Sequence, residues 1–111
     1  MFQANVCVNY GGRDELVRAA RVWAARVRDG KAEADALDEA GFASLLWSGD
    51  VPDPELLIRP GGETRISNFL LWQCAYTEFY FTDVLWPDFD GKEIDRAIAA
   101  YAQRQRRFGG L

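Results

Sequence analysis

The spacing of apolar positions changes several times along the chain, and each change predicts an element. Asn5-Val6-Cys7-Val8-Asn9-Tyr10 is short, β-branched and closed by Gly11-Gly12, which predicts a strand. The period then lengthens. Leu16, Ala20, Trp23 and Val27 fall on one face of a helix, with Asp14 and Glu15 in the first turn, where negative charge suits the dipole, and Gly30 as a stop. Residues 31–50 read as a polar linker followed by a short helix holding Phe42, Leu45 and Leu46. Val51-Pro52-Asp53-Pro54 is a turn, and Leu56 to Arg59 a second strand ended by Pro60-Gly61-Gly62.

Ser67 is placed to cap a helix from Asn68 to about Tyr76, apolar nearly all round and therefore expected to be buried. Glu78-Phe79-Tyr80-Phe81 predicts a third strand, and Trp86 to Asp90 a loop. The last helix sets Ile94, Ala97, Ile98 and Tyr101 on one face and runs into Arg104-Gln105-Arg106-Arg107-Phe108-Gly109-Gly110. Strands alternating with helices predict an α/β fold: one domain over residues 1–111, with a parallel sheet of about three strands under covering helices. In such folds ligands gather at the carboxyl ends of the strands. The two clearest loops there, Gly11-Gly12-Arg13 and Pro60-Gly61-Gly62, are both glycine elbows beside arginine.

Composition narrows the chemistry. With 111 residues there is room for one domain. A net charge of −4 argues against a general nucleic-acid binder. No apolar run approaches the roughly 18 residues of a membrane span, and no signal-peptide pattern opens the chain, so a cytoplasmic protein is expected. Cys7 and Cys74 each sit in an apolar run and are expected to be buried free thiols. The chain contains no histidine, which removes imidazole-based zinc sites and triads. A metal here would take oxygen ligands, as magnesium does.

The stretch Ile58-Arg-Pro-Gly-Gly-Glu-Thr-Arg-Ile-Ser-Asn-Phe69 points to a doubly charged anion. Arg59 and Arg65 offer planar forks whose charge does not titrate away, Ser67 adds a hydroxyl, and the glycines permit a tight turn. A plain loop, its arginines paired with Glu63 and Asp53, is the competing reading. The stretch is neither a P-loop nor a dinucleotide fingerprint. Glu78 reads either as a surface carboxylate at a strand edge or as a magnesium ligand near the anion. The basic run around Arg107 reads either as a solvated helix end or as a tail that folds over an anion.

The segment LLIRPGGETRISNFLLWQCAYTEFYFTDVLWPDF resembles the C-terminal half of a cis-prenyltransferase of the undecaprenyl diphosphate synthase family. NVCVNYGGR and the terminal RRFGG match further family segments in order. The resemblance implies condensation of isopentenyl diphosphate with an allylic diphosphate, such as farnesyl diphosphate, to form a cis double bond with Mg2+. It also implies a homodimer and membrane contact through the lipid product. By the same resemblance Arg59, Arg65 and Ser67 hold the diphosphate of isopentenyl diphosphate, and Glu78 takes part in magnesium binding. Arg107 and Gly109 match an arginine-x-glycine tail that closes over that diphosphate across the dimer interface. The family's Asp-Gly-Asn-Gly-Arg-Trp-Ala segment, which holds the allylic diphosphate and the essential aspartate, has no match here, so no catalytic residue is assigned. The expectation is therefore an isopentenyl diphosphate half-site. Its alternatives are an inactive truncated fragment or accessory subunit that needs a complete partner, and an unrelated phosphate-binding α/β domain.

Overall fold

The structure, a computed structural model, describes residues 2–109, with side chains as far as Arg104. The chain divides into two compact units. The first is Met1–Pro52 with Ser67–Trp72, and the second is Asp53–Ile66 with Gln73–Leu111.

The first unit is built on α1, Gly12–Arg28, with Asp14 and Glu15 in its first turn and Arg26 and Arg28 in its last. Charge of each sign thus sits at the dipole end that favours it. The helix is rotated slightly from the predicted face. Its buried line is Gly12, Glu15 and Ala19, while Ala20 is exposed. Leu45 and Leu46 close over Ala19, and Leu16, Val22, Trp23, Phe42 and Trp72 pack around them. A short α2, Glu39–Ala43, leads into the two leucines, and its Asp38 cap accepts the Gly41 N–H at 2.7 Å. The rotation of α1 follows from Glu15. Its carboxylate is drawn inward by the Tyr10 hydroxyl and by the Trp47 N–H at 2.8 Å.

Several expectations fail in this unit and in residues 73–76 of the second. Residues 5–10 form no strand, and Val6 and Val8 are 87% and 76% exposed. β-propensity is the fit of a side chain to a pleated neighbour, and this segment pairs with no strand among the described residues. Cys7 is accordingly exposed rather than buried, whereas Cys74 is buried as expected. The predicted helix from Asn68 to Tyr76 is a series of turns. Ser67, Asn68 and Leu70 have φ of 48°, 68° and 47°, which no right-handed helix accommodates. The helix was also expected to be buried, but Tyr76 is 97% exposed.

The second unit carries the sheet. β1, Leu56–Arg59, pairs in parallel with β2, Glu78–Phe81, in the register Leu56–Glu78 through Arg59–Phe81. The α/β class and the parallel pairing hold, with two paired strands among the described residues rather than three. α3, Gly91–Gly109, packs on β2. It buries Glu93 and Ala97, while Ile94 and Ile98 of the predicted face are largely exposed. The reason is again polar: the Glu93 carboxylate accepts the Tyr80 and Thr82 hydroxyls at 3.1 and 2.9 Å and so turns the helix.

Candidate functional site

Arg59 is the last residue of β1, level with Phe81 at the carboxyl ends of both strands. The chain then reverses through Gly61 and Gly62, at φ 92° and 84°. Only glycine enters that region without steric cost, so the elbow requires both. The Gly61 N–H donates to the Val84 carbonyl at 2.9 Å and the Gly62 N–H to Thr82 at 3.0 Å. The Thr82 N–H in turn donates to the Arg59 carbonyl at 3.1 Å. The elbow is thereby tied to the segment that leaves β2.

Within this frame the Arg59 guanidinium donates to the Arg65 carbonyl. Arg65 pairs with Glu63 at 2.8 Å, one of the two pairings the plain-loop reading anticipated. Both partners are well exposed, and an exposed pair of this kind is worth only about 0–1 kcal/mol. Such a pair leaves Arg65 able to exchange partners for an anion. Ser67 lies in the first unit and is not a helix cap.

Glu78 stands at the other end of the ladder, level with Leu56. Three ladder steps separate it from Arg59, about 10 Å along the strand. Its carboxylate pairs with Arg104 at 3.4 Å, and Arg104 also donates to the Phe79 carbonyl. Among the described residues no group of three or more His, Cys, Asp or Glu could hold a metal ion. Glu78 therefore fits magnesium only as a lone carboxylate, with substrate oxygens and waters completing the shell. Arg107 and Gly109 fall in the final turns of α3, where side chains lie outside the described residues.

Besides the buried Glu15 of α1, sequence reasoning missed two polar anchors. Glu93 is 4% exposed and accepts from Thr82, Tyr80 and, at 2.9 Å, Arg96. The Thr82 hydroxyl, with help from Tyr80 and Arg96, holds its carboxyl below the ordinary value of 4.5 against the effect of burial. Burial, and then the Glu93 carboxylate, push the Tyr80 hydroxyl up. The only sequence signal was the Asp90-x-x-Glu93 spacing of a capping box, and Asp90 does accept the Glu93 N–H at 3.1 Å. The second anchor is Asn68. Its side chain accepts the Arg13 N–H at 2.9 Å, and its carbonyl accepts the Gly12 N–H at 2.7 Å. The first glycine elbow thus has two helix-start donors already taken and is no open anion cradle.

The family model for undecaprenyl diphosphate synthase, a prenyltransferase family, matches residues 1–109. An isoprenyl transferase from Prochlorococcus marinus is 56% identical over 110 residues, covering 99% of this chain and 40% of that protein. A farnesyl-diphosphate-specific undecaprenyl diphosphate synthase from Legionella pneumophila is 54% identical, covering 96% of this chain and 45% of its own length. The crystal structure of lavandulyl diphosphate synthase from Lavandula x intermedia, solved with dimethylallyl diphosphate, superposes with a TM-score of 0.81 at 48% identity. That alignment covers 85% of this chain and 41% of the solved one. The chain therefore spans somewhat under half the length of the relatives it matches. Sequence, family model and fold agree, and this chain belongs to the undecaprenyl diphosphate synthase family of prenyltransferases.

Proposed function

We propose that this chain supplies the isopentenyl diphosphate subsite of a cis-prenyltransferase, binding the diphosphate through Arg59, Arg65 and Ser67. The observation that carries the reading is the arginine elbow, held at the strand ends by two left-handed glycines bonded to Val84 and Thr82. Its position is where ligands collect in parallel α/β sheets. Each arginine can present two parallel N–H donors to phosphate oxygens. These groups hold the homoallylic substrate so that its double bond faces an allylic diphosphate such as farnesyl diphosphate. Orientation of that kind is itself a large part of catalysis between two substrates.

Glu78 is the residue proposed to hold magnesium, which would neutralise charge on the diphosphate oxygens. That role requires Glu78 to leave Arg104 and the diphosphate and its metal to bridge the roughly 10 Å of strand between Arg59 and Glu78. Arg107 and Gly109 are assigned to the same diphosphate through the arginine-x-glycine tail, and the functional assembly is a homodimer. No helix among the described residues is long and apolar enough to cross a membrane, and contact with a bilayer is proposed through the lipid product alone. The share of the relatives' length covered here favours a second reading in parallel: a subsite that becomes catalytic only with the remaining part of such an enzyme.

Calorimetric titration of pyrophosphate with magnesium tests the subsite. A charge-assisted hydrogen bond is worth roughly 1.5–3 kcal/mol, so Arg59→Ala and Arg65→Ala each weaken binding by about tenfold to a hundredfold. Arg13→Ala costs less. Arg→Lys rescues incompletely, because lysine lacks the planar fork. Equal affinity in all these folded variants overturns the proposal. Supplying farnesyl diphosphate and labelled isopentenyl diphosphate separates the two readings: product from this chain alone shows a complete catalyst, and product only on adding the remaining part shows complementation.

A further inference from the structure

The segment that carries Ser67 is held by contacts which the diphosphate reading does not explain. Ser67 and Asn68 are consecutive left-handed residues, and Leu70 is a third close by. Left-handed non-glycine residues persist only where the surroundings over-determine them. Here the surroundings are the first turn of α1. The Asn68 carbonyl accepts from Gly12, and its Oδ1 accepts from the backbone N–H of Arg13. Phe69 adds an edge contact to Tyr10, with ring centroids 5.7 Å apart.

The approach is close enough to demand a particular residue at position 12. A Cβ on Gly12 would stand 2.7 Å from Leu71 Cγ and 2.8 Å from the Asn68 carbonyl oxygen. Gly12 is helical, so glycine is not needed there for its φ, and alanine would favour the helix itself. What excludes alanine is the seat of the 67–71 turn. We propose that Gly12 and Asn68 are positioning residues for the diphosphate subsite: they lock the left-handed turn that sets the direction of the Ser67 hydroxyl. This rests on the reading of Ser67 as a diphosphate ligand. It gives the Gly11-Gly12-Arg13 elbow a task other than anion binding, namely to be the socket into which the Ser67 turn is seated.

A double-mutant cycle read by pyrophosphate affinity, with magnesium present, tests it on the full 111-residue chain. Ser67→Ala weakens binding by about tenfold, the loss of one hydrogen bond to a charged group. Gly12→Ala, which leaves Ser67 in place, weakens it comparably. The combination of the two is no weaker than Ser67→Ala alone to within a factor of about two, because both remove the same contact. Asn68→Gly is the milder probe. It keeps the left-handed backbone accessible and removes only the acceptor for the Arg13 N–H, so it weakens binding in the same non-additive way. Exchange of the Arg13 amide proton speeds up in Asn68→Gly, which reads the contact independently of any ligand. Multiplicative losses, or unchanged affinity in folded Gly12→Ala and Asn68→Gly, overturn the proposal. So does failure of both variants to fold, because the contact would then hold the whole unit and not Ser67 in particular. If Ser67→Ala itself leaves affinity unchanged, the ligand reading of Ser67 fails, even where amide exchange still reports the Asn68 contact.

Discussion

Gly61 and Gly62 show how much a single backbone angle decides. Both sit in the left-handed region, and a Cβ on Gly62 would also come to 3.4 Å from the Asp83 carboxylate. An L-residue pays about 1–2 kcal/mol to adopt such a conformation. Gly61→Ala and Gly62→Ala should each lower unfolding stability by about that amount in urea titrations; unchanged midpoints would mean that the elbow relaxes freely. The cysteines give a second residue-scale prediction. Cys7 is exposed, whereas Cys74 is buried, and burial, reinforced by Asp53 and opposed by a bond to Thr77, pushes its thiol up. The thiolate is the reactive form. One thiol, Cys7, should therefore react quickly with a maleimide in the folded protein, and Cys74 only as its surroundings open. Equal rates at both positions would contradict the placement. Glu78→Gln should leave metal-free pyrophosphate binding unaltered and remove the gain that magnesium confers. A persistent magnesium effect would take Glu78 out of the site.

At the scale of elements, the contact between α3 and β2 is governed by a buried carboxylate rather than by an apolar stripe. Glu93 gathers the Tyr80 and Thr82 hydroxyls and the Arg96 guanidinium, and its carboxyl is held below its ordinary value of 4.5. A depressed carboxyl contributes stability that is present above the unfolded-state value and is lost as pH falls through the folded-state value. Unfolding midpoints should therefore drop as pH is taken below about 4.5. In Glu93→Gln that acid-side slope should be shallower, with a lower plateau at neutral pH. An identical slope would show that other groups carry the acid sensitivity. Tyr80→Phe should reduce the plateau less than Thr82→Val, since the Thr82 hydroxyl makes the shorter bond to the carboxylate, 2.9 against 3.1 Å, and also accepts the Val84 N–H.

At the scale of the whole molecule, the exposed apolar residues matter most. Val6, Val8, Tyr76, Leu85 and Trp86 are each at least 60% exposed. Side chains of this kind mark an interface where they lie together in one patch, and the proposed homodimer supplies the partner. Purified chain should therefore associate, with a sedimentation coefficient and a thermal midpoint that both rise with protein concentration. A sharp transition independent of concentration would identify a self-sufficient monomer and count against the proposed homodimer.

The amino-acid sequence by itself determined the elements whose signal is local. The helical period of α1 and α3, the short aliphatic run of β1 and the aromatic run of β2, and the Pro-Gly-Gly stop after Arg59 all appear where periodicity and turn chemistry put them. The resemblance carried by residues 56–89 was equally legible, because identity and order of residues survive without any coordinates. Only tertiary structure decided the rest, and each case has the same physical form. Residues 5–10 have strand composition, but a strand is made by its neighbour's hydrogen bonds. Residues 68–76 have helical composition, but Asn68 gives its acceptors to α1, and the left-handed turn that results ends any helix before it starts. The inward faces of α1 and α3 were set by Glu15 and Glu93, charged residues that a hydrophobic pattern assigns to solvent and that distant hydroxyl and amide donors draw inside. Local period is written in the chain, whereas the partner that satisfies a polar group is known only once the chain has folded.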